Sequence, residues 1–133
     1  MASSFLTPLD LEYLDGRTWR LTTPFKFRSD DIDATIMVSE GFLTDFASIP
    51  RVLWVVLPPT GPYGKAAVVH DWLYKTGLTT RAEADTVLLE GMQVLGVRWF
   101  TRQTIYVGVR LGGWVAWRHH RKEDEPPDPH ESV

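Results

Sequence analysis

A histidine, two aspartates and a tyrosine fall within sixteen residues of this chain, in Val69-His70-Asp71-Trp72-Leu73-Tyr74 and, beyond Arg81, at Asp85. They lie on segments otherwise patterned for burial, where imidazole and carboxylate groups are costly unless paired, hydrogen-bonded or bound to a metal. On a helix, positions 70 and 74 share one face, while position 71 points about 100° away. His70 and Asp71 therefore serve different partners. That division suits an imidazole acting as base beside a carboxylate reserved for a metal or substrate. Asp85 faces His70 if two helices run antiparallel around a Thr76–Thr80 connection. It would then hold the imidazole in the tautomer that makes it a base. The alternative is structural: Asp71 pairs with Arg81, and His70 and Tyr74 donate to backbone carbonyls.

A second group lies in Gly41-Phe42-Leu43-Thr44-Asp45-Phe46-Ala47-Ser48-Ile49-Pro50-Arg51. Asp45 and Ser48 have Asx-turn or N-cap spacing, which gives them a structural reading. In the functional reading Asp45 joins Asp71 in binding a hard cation through oxygen ligands, Ca²⁺ first and Mg²⁺ or Zn²⁺ as alternatives. Ser48 and Arg81 would then contact substrate. Ser48 is no nucleophile of the elbow type, because no Gly-x-Ser-x-Gly surrounds it. His119, His120 and His130 read as solvated tail residues. Gly61-Pro62-Tyr63-Gly64 lacks the Gly-Lys-Ser/Thr ending of a phosphate loop. Arg98, Arg102 and Arg110 with Trp99 and Tyr106 form a basic-aromatic stripe of the kind that binds single-stranded nucleic acid, set against an acidic whole.

The elements that must position these residues divide the chain in two. The first half reads as β. Leu11–Leu14 and Arg17–Leu21 flank the turn dipeptide Asp15-Gly16 and predict a hairpin. Pro24–Arg28 alternates as a half-buried strand does, Asp30-Asp31 turns the chain, and Ala34–Val38 returns it. Ser39-Glu40-Gly41 turns it again into Phe42–Asp45. Pro50–Tyr63 is an irregular segment, since its prolines suit neither a helix interior nor a central strand.

The second half reads as helical. Lys65–Lys75 carries Ala66, Val69 and Leu73 on one side and stops at Gly77. Thr80-Arg81-Ala82-Glu83 is a capping box that opens a helix to about Val94, ended by Gly96. A third helix is expected from Thr101 to about His119, with Ile105, Val109 and Trp117 inward. Gly91 is expected to let this third helix pack closely on the second. The expectation is one α+β domain over residues 1–118: antiparallel hairpins or a small sheet on about three helices. Residues 119–133, charged and Pro-rich, are expected to be a disordered tail.

With 133 residues, 44% of them hydrophobic, and six Trp, the chain is long enough for one core of its own. A net charge of −3 disfavours broad attraction to nucleic acid or anionic membranes. With no Cys, disulfides, thiol chemistry and thiolate zinc sites are excluded. Met1–Asp15 lacks the pattern of a secretion signal, and Ile105–Trp117, interrupted by Arg110, is too short to span a bilayer. A soluble protein is expected, and its oligomeric state is left open.

The order Gly-Phe-x-Thr-Asp-Phe-Ala-Ser-Ile-Pro-Arg, then Trp54, Pro58-Pro59, Ala66–Tyr74 and Arg81-x-x-x-Asp85 resembles the DUF1353 family. Its members are small proteins found mostly in tailed phages and prophages. The resemblance implies a phage origin, in the host cytoplasm or the virion, and a shared fold, but no settled activity. His-Asp-x-x-Tyr followed by an Asp on the next helix is also similar to the core of phospholipase A2 enzymes. That similarity implies His70 as the base that activates water, Asp71 as a Ca²⁺ ligand, Asp85 as the group that orients His70, and Tyr74 as support. Two functions follow as expectations. One is a metal-assisted hydrolase acting on an envelope ester or amide bond, with lipid or cell wall as substrate. The other is a non-catalytic virion, tail or assembly component in which the same residues fix the packing.

Overall fold

The structure is a computed structural model that describes residues 3–16, 18–45 and 64–124. Six strands and four helices are formed among the described residues, an α+β arrangement. The strands are β1 (Ser4–Phe5), β2 (Leu11–Asp15), β3 (Thr18–Leu21), β4 (Phe25–Ser29), β5 (Ala34–Val38) and β6 (Leu43–Thr44). The helices are α1 (Gly64–Thr76), α2 (Arg81–Val94), α3 (Trp99–Gly112) and α4 (Trp114–Asp124).

The strands make two three-stranded antiparallel sheets, in the orders β1-β4-β5 and β2-β3-β6. In the first, Phe25 lies opposite Val38 and Phe27 opposite Ile36. The period of two puts these four side chains on the buried face, while Lys26 and Met37 stay exposed. Phe5 closes the cluster, its ring centroid 4.6 Å from that of Phe27 and 5.6 Å from that of Phe25. The second sheet is the expected hairpin extended by β6. Gly16 supplies the positive φ of its turn, and the pairing shifts register between Tyr13 and Asp15.

Helix α1 departs from a one-sided pattern. Ala66–Asp71, Leu73 and Tyr74 are all buried, so it runs through the middle of the protein with neighbours nearly all round. Gly77, at φ 65°, ends it. The capping box that starts α2 is complete: Thr80 Oγ1 accepts from Glu83 N at 3.1 Å, and Glu83 Oε1 accepts from Thr80 N at 3.0 Å.

Three expectations are corrected. The third helix is two helices, broken for one residue at Gly113, whose backbone keeps a right-handed helical conformation. Gly91 does not make room for α3. A Cβ there would lie 2.9 Å from that of Ala66, so the close approach is between α1 and α2. The C-terminal helix runs on to Asp124, past the expected end near His119, and the rest of the expected tail, residues 125–133, lies outside the described residues. Arg121 supplies the reason. Its Nη2 donates to Tyr74 O at 2.8 Å and Lys75 O at 2.9 Å, satisfying the last carbonyls of α1, and its guanidinium stacks 4.5 Å from the Trp117 ring.

Candidate functional site

The two central helices bring the chemistry-bearing residues together. Thr76–Thr80 reverses the chain, so α2 returns along α1 and Asp85 meets the His70/Tyr74 face. Asp85 Oδ1 lies 2.7 Å from His70 Nε2 and accepts from Tyr74 Oη at 2.6 Å. Its Oδ2 accepts from Arg110 Nη1 at 2.7 Å and, more loosely, from Arg81 Nη1 at 3.4 Å. The carboxylate is fully buried and has donors on both oxygens. Burial alone would raise its pKa; His70, Tyr74 and Arg110 outweigh that and hold it below the ordinary carboxylate value. The same contact raises the pKa of Arg110, and burial with the Asp85 charge raises that of Tyr74. Asp85 thus stays ionised and accepts from Nε2 of His70, a contact that fixes the orientation of the ring.

Arg81 also donates to Val109 O at 3.1 Å and Arg110 O at 3.3 Å, tying α2 to the C-terminal carbonyls of α3. Its partners are Asp85 and these carbonyls rather than Asp71, and Tyr74 donates to a carboxylate rather than to a backbone carbonyl. Arg110 was the group that sequence reasoning left out of the site. The signal was available: one arginine inside the apolar run Ile105–Trp117 implies a buried partner.

Asp71 belongs to a different neighbourhood. Its Oδ2 accepts from Thr44 Oγ1 at 2.6 Å, while Oδ1 is buried with no hydrogen-bond partner among the described residues. Burial pushes its pKa up, only partly opposed by Thr44 and Lys75, and Asp45 adds to the rise. Strand β6 is sewn to α1 beside it. Lys75 Nζ donates to Leu43 O at 2.8 Å, and Phe42 packs edge-on to Trp72 at 5.1 Å. Thr44 therefore joins the site from the quoted signature, in which only Asp45 and Ser48 were singled out. Asp45 is half-buried next to Thr44. Ser48 lies outside the described residues.

Among the described residues no cluster of three or more His, Cys, Asp or Glu side chains is placed to hold a metal ion. A cation here would rest on the open oxygen of Asp71, with Asp45 nearby and backbone or water oxygens completing the shell. The donor set is hard oxygen, which fits Ca²⁺ or Mg²⁺ better than Zn²⁺.

Fold and site define a small α+β protein built on an antiparallel helix pair that carries a buried His–Asp–Tyr cluster. The DUF1353 family model, described as a protein of unknown function, matches residues 19–109. The chain belongs to that family. The match takes in both sheets in part, the helix pair and nearly all of α3. No curated protein and no solved structure matches the chain. No helix among the described residues is long and apolar enough to cross a membrane.

Proposed function

We propose that this protein is a phage-encoded, metal-assisted hydrolase of an ester or amide bond in the bacterial envelope, acting from the host cytoplasm or the virion. The observation that carries the reading is the 2.7 Å contact of His70 Nε2 with Asp85 Oδ1, reinforced by Tyr74. His70, oriented by Asp85, takes a proton from water. The oxygen of that water adds to the carbonyl carbon, and the leaving alcohol or amine departs with a proton returned by the imidazolium. Asp85 stabilises the imidazolium, and Arg81 and Arg110 keep Asp85 in place and ionised. Asp71, with Asp45, would hold a cation such as Ca²⁺. That ion would supply Lewis-acid polarisation of the carbonyl and neutralise the developing oxyanion. The similarity to phospholipase A2 favours a phospholipid ester; a cell-wall amide is the other substrate of suitable chemistry. The open Oδ1 of Asp71 supports the cation part of the reading, because a purely structural network satisfies its buried oxygens.

One observation favours a second reading. His70, Asp71, Tyr74 and Asp85 are all fully buried, which suits a non-catalytic virion or assembly component whose polar network specifies the packing. Calorimetric titration with Ca²⁺ and Mg²⁺, followed by phospholipid and cell-wall hydrolysis assays, separates the two. Stoichiometric binding abolished by Asp71→Asn, with hydrolysis abolished by His70→Ala, supports the enzyme. Absence of binding and turnover, with variants that change thermal stability alone, supports the structural component.

A further inference from the structure

Helices α3 and α4 bury one flank and leave the other uncovered. Ile105 and Val109 face the core, whereas Trp99, Phe100, Val107, Leu111, Trp114 and Val115 are between 48% and 76% exposed. Phe100 and Val107 lie seven residues apart, two helical turns, and Leu111, Trp114 and Val115 follow at three- and four-residue spacing, so they form one outer stripe rather than scattered contacts. The stripe passes through the single residue Gly113, whose right-handed backbone carries the helical path onward. Near its start, Trp99, Phe100, Gln103, Thr104 and Val107 border a shallow, mostly apolar depression.

Charge sets the character of the occupant. The whole chain is acidic, yet every charged residue from Arg98 to Arg121 is an arginine. Arg110 and Arg121 are turned inward onto Asp85 and the end of α1. Arg98 and Arg118 are exposed at the two ends of the stripe, the latter 5.6 Å from the Trp114 ring. Large apolar side chains with Trp at both ends, flanked by cations and with no carboxylate between Arg98 and Arg121, match a helix lying in the headgroup plane of an anionic bilayer. Single-stranded nucleic acid fits less well. Val107, Leu111 and Val115 offer no stacking surface, and Arg102 donates to Val97 O.

We propose that the outer face of α3 and α4 seats the protein on an anionic phospholipid surface, with Trp99, Phe100, Leu111 and Trp114 entering the headgroup region. The inference deepens the lipid form of the hydrolase reading by naming how that substrate is presented, but binding itself does not use His70.

The test is co-sedimentation of the full chain with phosphatidylglycerol vesicles and with phosphatidylcholine vesicles. Hydrogen-exchange protection over residues 99–115 is read in the same samples. The expected result is binding to phosphatidylglycerol in preference to phosphatidylcholine, weakened by salt, with protection of the stripe. Phe100→Ser/Leu111→Ser should bind at least about tenfold more weakly at unchanged melting temperature, because both side chains are exposed. Arg98→Gln/Arg118→Gln should reduce the preference for phosphatidylglycerol. No binding to phosphatidylglycerol, undiminished binding by the serine variant, or binding without protection of the stripe would overturn the proposal. So would a dimer that the serine variant dissociates in the absence of vesicle binding, since the stripe would then belong to a second copy. Binding with no lipid turnover leaves the surface assigned and removes the lipid-hydrolase reading alone.

Discussion

Gly113 is hemmed in by Tyr74 and by the backbone of α3: a Cβ at position 113 would lie 2.5 Å from the Tyr74 hydroxyl and closer still to Val109 O. That hydroxyl is held in place by its bond to Asp85. The break between α3 and α4 thus sits where the helix passes the His70–Tyr74–Asp85 cluster. Gly113→Ala should therefore destabilise the protein despite the higher helix propensity of alanine, by about 1–3 kcal/mol for an overpacked site. Tyr74→Phe removes the side-chain oxygen of the two that obstruct and leaves Val109 O in place. The double variant should lose less than the sum of the two single losses in denaturant titrations, and strict additivity would refute the contact.

Asp85 and Asp71 should leave opposite marks on stability as pH changes. Asp85 has a lowered folded pKa, so its contribution is complete above the ordinary carboxylate value near 3.8. That contribution is lost as pH falls from there through the folded value. Asp71 has a raised folded pKa, so the folded state binds its proton more tightly than the unfolded chain does. Stability therefore falls as pH rises from 3.8 through the folded value of Asp71. Melting temperatures of Asp71→Asn should equal or exceed those of the wild type at neutral pH and lose that advantage near pH 4. A variant less stable than wild type at neutral pH, with no convergence in acid, would contradict the assignment.

Removing the Asp85 carboxylate should be far more damaging. Asp85→Ala strands Arg110 and part of Arg81 without their anion and takes from the buried imidazole and phenol the acceptor they share. A loss of about 3–5 kcal/mol is expected in chemical denaturation. Asp85→Asn keeps the volume and should lose less. A loss for Asp85→Ala within 0.5 kcal/mol, the usual range for a surface change, would mean that the cluster does not hold the two helices together.

Gly91 sets the spacing of the helix pair that carries this cluster. A Cβ there meets the Cβ of Ala66 at 2.9 Å and the Phe5 ring at 3.3 Å. Gly91→Leu should force α1 and α2 apart and cost on the order of 3 kcal/mol, at the upper end for overpacking. Gly91→Ala should cost less. Melting temperatures in the order Gly, Ala, Leu from highest to lowest are expected, and a Leu variant as stable as wild type would show that the helices do not approach so closely.

Truncation after Arg118 tests the correction to the C-terminus. Loss of Arg121 exposes the Tyr74 and Lys75 carbonyls at the end of α1, an effect of about 1–2 kcal/mol by analogy with removal of a helix cap. Arg121→Ala in the full chain should reproduce most of the loss, read by thermal unfolding. An unchanged melting temperature in both would return residues beyond 118 to the status of a dispensable tail.

The sequence by itself determined whatever depends on neighbours a few residues apart. The four-residue spacing of His70 and Tyr74 put them on one face, Thr80 and Glu83 capped α2, and Gly77 ended α1. The five-residue connection between the helices made the meeting with Asp85 predictable, because so short a link leaves antiparallel neighbours as the available geometry. Tertiary structure decided the partners that come from far along the chain. Thr44 reaches Asp71 only because β6 docks on α1, and Arg110 reaches Asp85 only because α3 folds back over α2. Arg121 makes an ordered helix of what reads locally as a polar tail. No local pattern specifies such contacts. Their formation depends on the closure of long loops and on which buried groups still need a partner after the core has packed.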